Sequence, residues 1–246
     1  MTPGTLVLIA LAMSVAAFVK GATGQGLPPI VIPVVATFMG LEAAVVIMTI
    51  PGVLTNTWLL WNYREHFKNT RDLPVLLVMG TLGAVLGTFL LRALDEDVLS
   101  LVLAGLIGLY VVVYLARPSF RLSPALTRFT SPPVGLAAGV LQGATGLSGP
   151  LISTYLHGYR LEKEAYVLSL TTVFQVWAFV QGIALVSVGL FTRDLLVLSL
   201  LSLIPIMGVL PLGARFATRL SRRTFDLIVL TVLVCTATKL VFDALF

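Results

Sequence analysis

Two short stretches of glycine, threonine and proline hold the residues in this sequence best suited to chemistry. Gly21-Ala22-Thr23-Gly24 is followed by Pro28, and Gly143-Ala144-Thr145-Gly146 by Pro150, at an identical spacing. Glycine lets a helix unwind, and proline is well tolerated in the first turn of a new one. Each stretch therefore reads as a break followed by a second helical arm. A helix start carries unpaired N–H groups and about half a positive charge, so two such starts facing each other suit a negatively charged group. The backbone at Gly24, Gly26, Gly146 and Gly149 and the side chains of Thr23, Gln25, Thr145 and Ser148 are the candidate donors. The ordinary alternative is that small residues merely let helices pack closely.

A few polar residues stand alone in apolar runs. Lys20 adjoins the first stretch, where a lysine near a bilayer centre costs about 2.5–3.5 kcal/mol; alternatively its stem snorkels to the interface. Its counterpart in the second stretch is the neutral Gln142. Asn56 and Gln175 occupy matching positions, where their amides either face a cavity or bond between helices. Gln181 is a weaker candidate of that type, and Trp58 and Trp177 read first as interfacial anchors.

Other chemistries find little support. His66 and His157 stand far apart and outside any HExxH pattern, so no metal or other cofactor is expected. Ser148 has no recognisable base and does not complete a GxSxG motif. Cys235 is the single cysteine, which excludes a disulfide framework. Glu42, Glu162, Asp72 and Asp194 fall at helix starts, where capping or dipole interaction explains them.

The elements that carry these residues are membrane helices. The chain has 246 residues, 58% hydrophobic and 11% charged, against roughly 25% charged in soluble domains. Its mean hydropathy is +1.02. The net charge of +5 sits in short clusters between apolar segments, which argues against nucleic acid as a partner. The first apolar stretch outruns a signal peptide and reads as mature structure. Spans of about 20 apolar residues are expected at Ala43–Trp61, Leu73–Leu91, Val98–Ala116, Ala165–Ser187, Leu195–Leu212 and Phe225–Val241. The regions 2–41 and 129–159 carry the glycine-proline breaks. Unbroken, the first would form a helix of about 60 Å, twice the hydrocarbon thickness.

The repetition extends past the two motifs. Leu41-Glu42 corresponds to Leu161-Glu162, Asn56-Thr57-Trp58 to Gln175-Val176-Trp177, and Arg71-Asp72-Leu73 to Arg193-Asp194-Leu195. The halves are 1–122 and 123–246. Basic loops, favoured on the cytoplasmic side, lie at Arg64–Arg71, Arg117–Arg128 and Arg215–Arg223, while Asp95, Glu96 and Asp97 form an acidic one. All three basic loops share a side if the second interrupted region enters and returns on that side. The expected fold is therefore an all-α polytopic membrane protein of two inverted-topology repeats. Each is a broken helix or re-entrant hairpin followed by three transmembrane helices, a plan common among secondary transporters.

The doubled Gly-Ala-Thr-Gly-x-x-x-Pro pattern, in a chain of this length and hydropathy, resembles the TauE/SafE family of sulfite and organosulfonate exporters, also called toluenesulfonate uptake permeases. The resemblance covers nearly the whole chain. Gln25 and Leu147 depart from it, standing where the family often has further glycine. It implies a proton-driven secondary transporter, an exporter of sulfite, sulfoacetate or a related sulfonate, in the bacterial inner membrane. The expected partners are a small anion, protons and the lipid bilayer, and a homodimer is compatible. An anion channel is the nearest rival, and a membrane-embedded enzyme the alternative from another class.

Overall fold

A computed structural model of the chain describes residues 3–69, 72–95, 122–159 and 161–216, with isolated helical positions between 98 and 116 and between 231 and 242. The expected spans Val98–Ala116 and Phe225–Val241 lie outside the continuously described residues. So do Arg71, Glu96, Asp97, Arg117, Arg121, Arg219, Arg222, Arg223 and Cys235. Among the described residues every regular element is helical. In chain order they are α1 (Pro3–Thr23), α2 (Leu27–Met39), α3 (Leu41–Tyr63), a 3-10 turn (Arg64–Asn69), α4 (Leu73–Ala93), α5 (Pro124–Thr145), α6 (Gly149–His157), α7 (Lys163–Ser187) and α8 (Arg193–Phe216).

Among the described residues, five segments are long and apolar enough to cross a membrane: Leu6–Thr23, Leu41–Phe67, Leu73–Ala93, Glu164–Ser187 and Arg193–Phe216. Large apolar side chains such as Leu11, Val78, Leu86, Ile183 and Ile204 stand exposed on them. Such surfaces suit lipid, because a helix already satisfies its own backbone polar groups.

Both interrupted regions break over three residues, 24–26 and 146–148. The second forms a hairpin: the Leu122 amide ahead of α5 donates to the Gly158 carbonyl beyond α6 at 2.8 Å, so both ends of the region lie side by side. The end of the short arm is tied down by its tyrosines. Tyr155 shares hydrogen bonds with Thr130 (2.7 Å) and Ser131 (2.9 Å), and the Tyr159 hydroxyl donates to Asp72 Oδ2 at 3.0 Å.

That bond corrects the expectation for Asp72. Its backbone lies in the left-handed region at φ 54°, and its side chain makes no cap bond to α4. The carboxylate instead serves the hairpin. Tyr159→Phe is expected to destabilise the protein by roughly 1 kcal/mol, read as a lower unfolding temperature in detergent.

The packing brings together helices distant in sequence. α1 lies along α8 and α5 along α4, while α3 packs on α7. Glycine makes both seams possible. A Cβ on Gly21 would lie 2.1 Å from the Leu210 carbonyl oxygen, and one on Gly143 2.1 Å from that of Ala84. On the facing helices, a Cβ on Gly213 would meet the Phe18 oxygen at 2.1 Å, and one on Gly83 the Leu136 oxygen at 2.2 Å. The first glycine of each motif thus serves close helix approach.

Trp177 also departs from expectation. It is fully buried, with its ring in the space that a Cβ on Gly80 would fill. An interfacial anchor would keep its polar edge near water; this one packs inside the bundle.

Candidate anion-binding site

The two breaks share a common frame of hydrogen bonds. Gly24 and Gly146 adopt left-handed backbone at φ 79° and 71°. Their amides cap the preceding helices, Gly24 N to Lys20 O at 2.8 Å and Gly146 N to Gln142 O at 2.9 Å. The Thr23 hydroxyl donates to Val19 O (2.8 Å) and accepts from Gln25 N (3.3 Å). The Thr145 hydroxyl donates to Leu141 O (2.8 Å) and accepts from Leu147 N (3.2 Å). Both threonines therefore hold the break open and do not line the cavity described below.

The breaks differ one step on. Gly26 is left-handed at φ 111°, whereas its counterpart Ser148 donates its hydroxyl to Gln142 Oε1 at 2.7 Å. The new helix starts are also unequal as donors. Pro28 and Pro29 lack N–H groups, so the first three residues of α2 offer one backbone donor, that of Leu27. The first three of α6 offer two, from Gly149 and Leu151.

Between the breaks lies a cavity. Lys20, Gln25, Gly26 and Asn56 from the first interval and Gln142, Gly146, Gly149 and Gln181 from the second face it, with Ile32, Val45, Met48 and Phe174 among its apolar walls. On α3 the lining positions run from Val45 to Asn56, and on α7 from Phe174 to Gln181. These stretches include the middle turns of both helices and reach to about 6 Å from the start of α3 and about 9 Å from the end of α7, at about 1.5 Å per residue.

Lys20 is 2% exposed, and its Nζ donates to Asn56 Oδ1 at 2.6 Å. Opposite, Gln142 Nε2 donates to Gln181 Oε1 at 2.9 Å, and Gln181 Nε2 returns a bond to Gln142 O at 2.6 Å. In each interval the residue preceding Gly-Ala-Thr-Gly pairs with an amide on the next long helix. One pair carries a cationic group and the other is neutral.

Of the residues singled out in the sequence, Lys20, Gln25, Gly26, Asn56, Gly146 and Gly149 meet at the cavity. Gly24, Thr23, Thr145 and Ser148 form the breaks behind it. Gln175 lies elsewhere: it is half-buried, and its Nε2 donates to Thr57 Oγ1 at 3.1 Å. The cause is helical phase. The lining residues of α7 recur at Phe174, Ala178 and Gln181, three to four apart on one face, and Gln175 is rotated off that face. The amide in register is Gln181. Its separation of seven from Phe174 places both side chains on one face of α7.

Apolar helices of spanning length around a buried cavity, with two helix breaks at its edge, are the architecture of a polytopic membrane protein. The chain belongs to the sulfite exporter TauE/SafE family, whose family model matches residues 9–240. Membership places it among integral membrane transporters of sulfite and organosulfonates. No curated protein and no solved structure matches the chain significantly.

Proposed function

We propose that the chain is a secondary exporter of sulfite, sulfoacetate or a related organosulfonate in the bacterial inner membrane, working with protons by alternating access around the Lys20 cavity. One observation carries this reading: a fully buried lysine, paired only with a neutral amide in its cavity, faces two helix starts. Among the described residues the site holds no counter-charge, and a sulfonate or sulfite supplies one. Its oxygens accept hydrogen bonds from the Lys20 amine, the Gln25 amide and the N–H group of Gly149.

The halves 1–122 and 123–246 are read as inverted repeats. Their support is the matching break geometry and the reciprocal packing of α1 on α8 and α5 on α4. Rocking of one half against the other would open the cavity to alternate sides.

Thermal shift on the purified chain tests the site. Sulfite and sulfoacetate at about a hundred times their Kd should stabilise by roughly 2.7 kcal/mol, with taurine and uncharged analogues having little effect. Equal stabilisation by a neutral analogue would sink the anion site. Exchange of labelled sulfonate between gradient-loaded vesicles separates a transporter from an anion channel, which would instead pass large single-channel currents.

A further inference from the structure

We infer that the Lys20 amine is the proton carrier of the transport cycle, loading one proton with each anion and releasing it with the anion on the other side. Export then runs down the anion's own outward gradient, and an inward proton gradient drives the reverse flux. This rests on the anion-site reading above and adds to it the group that does the coupling.

The argument starts from the ionisable groups around the cavity. Lys20 is the one ionisable side chain among the described residues that line it. The charged residues on the packed elements sit at helix ends, away from the cavity. On α3, Glu42 is exposed in the first turn; on α5, Arg128 is exposed near the start. α7 has Glu162 exposed at its cap and Glu164 in its first turn. On α8, Arg193, Asp194 and Arg215 are exposed. Arg92 is exposed at the end of α4, where it donates to the Val188 carbonyl. α2 has no charged residue, and the Tyr166 hydroxyl of α7 bonds the Ser153 carbonyl at 3.4 Å. No carboxylate in the described lining can take the proton.

Asn56 suits this role. Its Oδ1 accepts from an amine or an ammonium alike, so the 2.6 Å bond survives a change in charge. A buried ammonium without a counter-ion is costly, and the incoming anion supplies that counter-ion. Anion binding and protonation of the amine then favour one another by the same free energy.

The proton balance is simple. A proton from water at the mouth adds to the Nζ lone pair and forms an N–H bond as the anion enters. On the far side that N–H bond breaks, the proton passes to water, and the anion leaves. Because the facing pair Gln142–Gln181 is neutral, each cycle carries one such proton.

The test uses the full chain in vesicles with the membrane potential clamped. Methanesulfonate and sulfoacetate serve as probes, because neither takes up a proton near neutral pH. An imposed gradient of about one pH unit should concentrate methanesulfonate about tenfold, the ratio for one proton per monoanion. Lys20→Arg keeps a positive charge but cannot give up its proton. It should exchange probe more slowly, yet show no accumulation driven by the gradient. In detergent, calorimetry in buffers of different ionisation enthalpy should show about one proton taken up per anion bound by the wild type and none by Lys20→Arg. Wild-type gradient-driven accumulation in Lys20→Arg, or wild-type binding without proton uptake, would overturn the inference. A wild type that exchanges neither probe would instead overturn the anion site beneath it.

Discussion

Gly143→Val is expected to leave almost no folded protein, while Gly208→Val purifies like the parent. A Cβ at Gly143 would lie 2.1 Å from the Ala84 oxygen and 2.6 Å from the Thr88 nitrogen, both backbone atoms. Neither can turn away as a side chain can. The α4–α5 seam would have to open by more than an ångström along its length, separating Gly83 from Leu136 as well. Ordinary overpacking costs about 1–3 kcal/mol, and a clash spread along two backbones exceeds that against a total stability of about 5–15 kcal/mol. Gly208 is exposed with no atom near its would-be Cβ, so the same substitution there costs nothing in packing. Gly21→Val should fail like Gly143→Val, since it presses on Leu210 and Ala214 across the α1–α8 seam. Yield of monodisperse protein on gel filtration reads the contrast. Normal recovery of both seam variants would mean that the helices are held apart more loosely than their backbones indicate.

The four long helices α3, α4, α7 and α8 were legible because each needs only an uninterrupted apolar run of the right length. The breaks were legible because glycine and proline mark departures from helix regardless of what surrounds them. Which glycine did what was not. Gly21 and Gly143 serve packing while Gly24 and Gly146 serve the left-handed turn, and only φ angles and neighbouring backbones separate these roles.

The same limit explains why Gln175 ranked ahead of Gln181, although Gln181 is the one that lines the cavity. In a soluble helix the polar face tells which side points out. In a lipid-embedded helix both faces are apolar, so nothing local reported that Gln181 faces inward and Gln175 does not. Asp72 misled for a related reason. An aspartate before a helix reads as a cap, and the tyrosine that claims its carboxylate lies 87 residues downstream. The match of Asn56 with Gln175 rests on position along the sequence. It failed as geometry, because the cavity-facing amide of the second interval sits farther along its helix.

Moving the positive charge from one break to the other tests whether the two frames serve one site. Lys20→Gln should weaken sulfoacetate binding on the order of tenfold to a hundredfold, the loss expected for one charged hydrogen bond of about 1.5–3 kcal/mol. Adding Gln142→Lys should recover much of that loss. Residue 142 faces the same cavity as Lys20, and Gln181 Oε1, which now accepts from Gln142 at 2.9 Å, can accept from a lysine amine as Asn56 does in the other frame. Recovery should fall short of complete, because the Ser148 hydroxyl loses Gln142 Oε1 as its acceptor. Titration of the single and double variants by calorimetry decides the matter. If the double variant binds no better than Lys20→Gln, the frames are not interchangeable, and the anion depends on where the charge stands rather than on its presence in the cavity. Such a result would place the sulfonate against α1 and α3, with the second break acting as a wall that shapes the pocket without contributing charge.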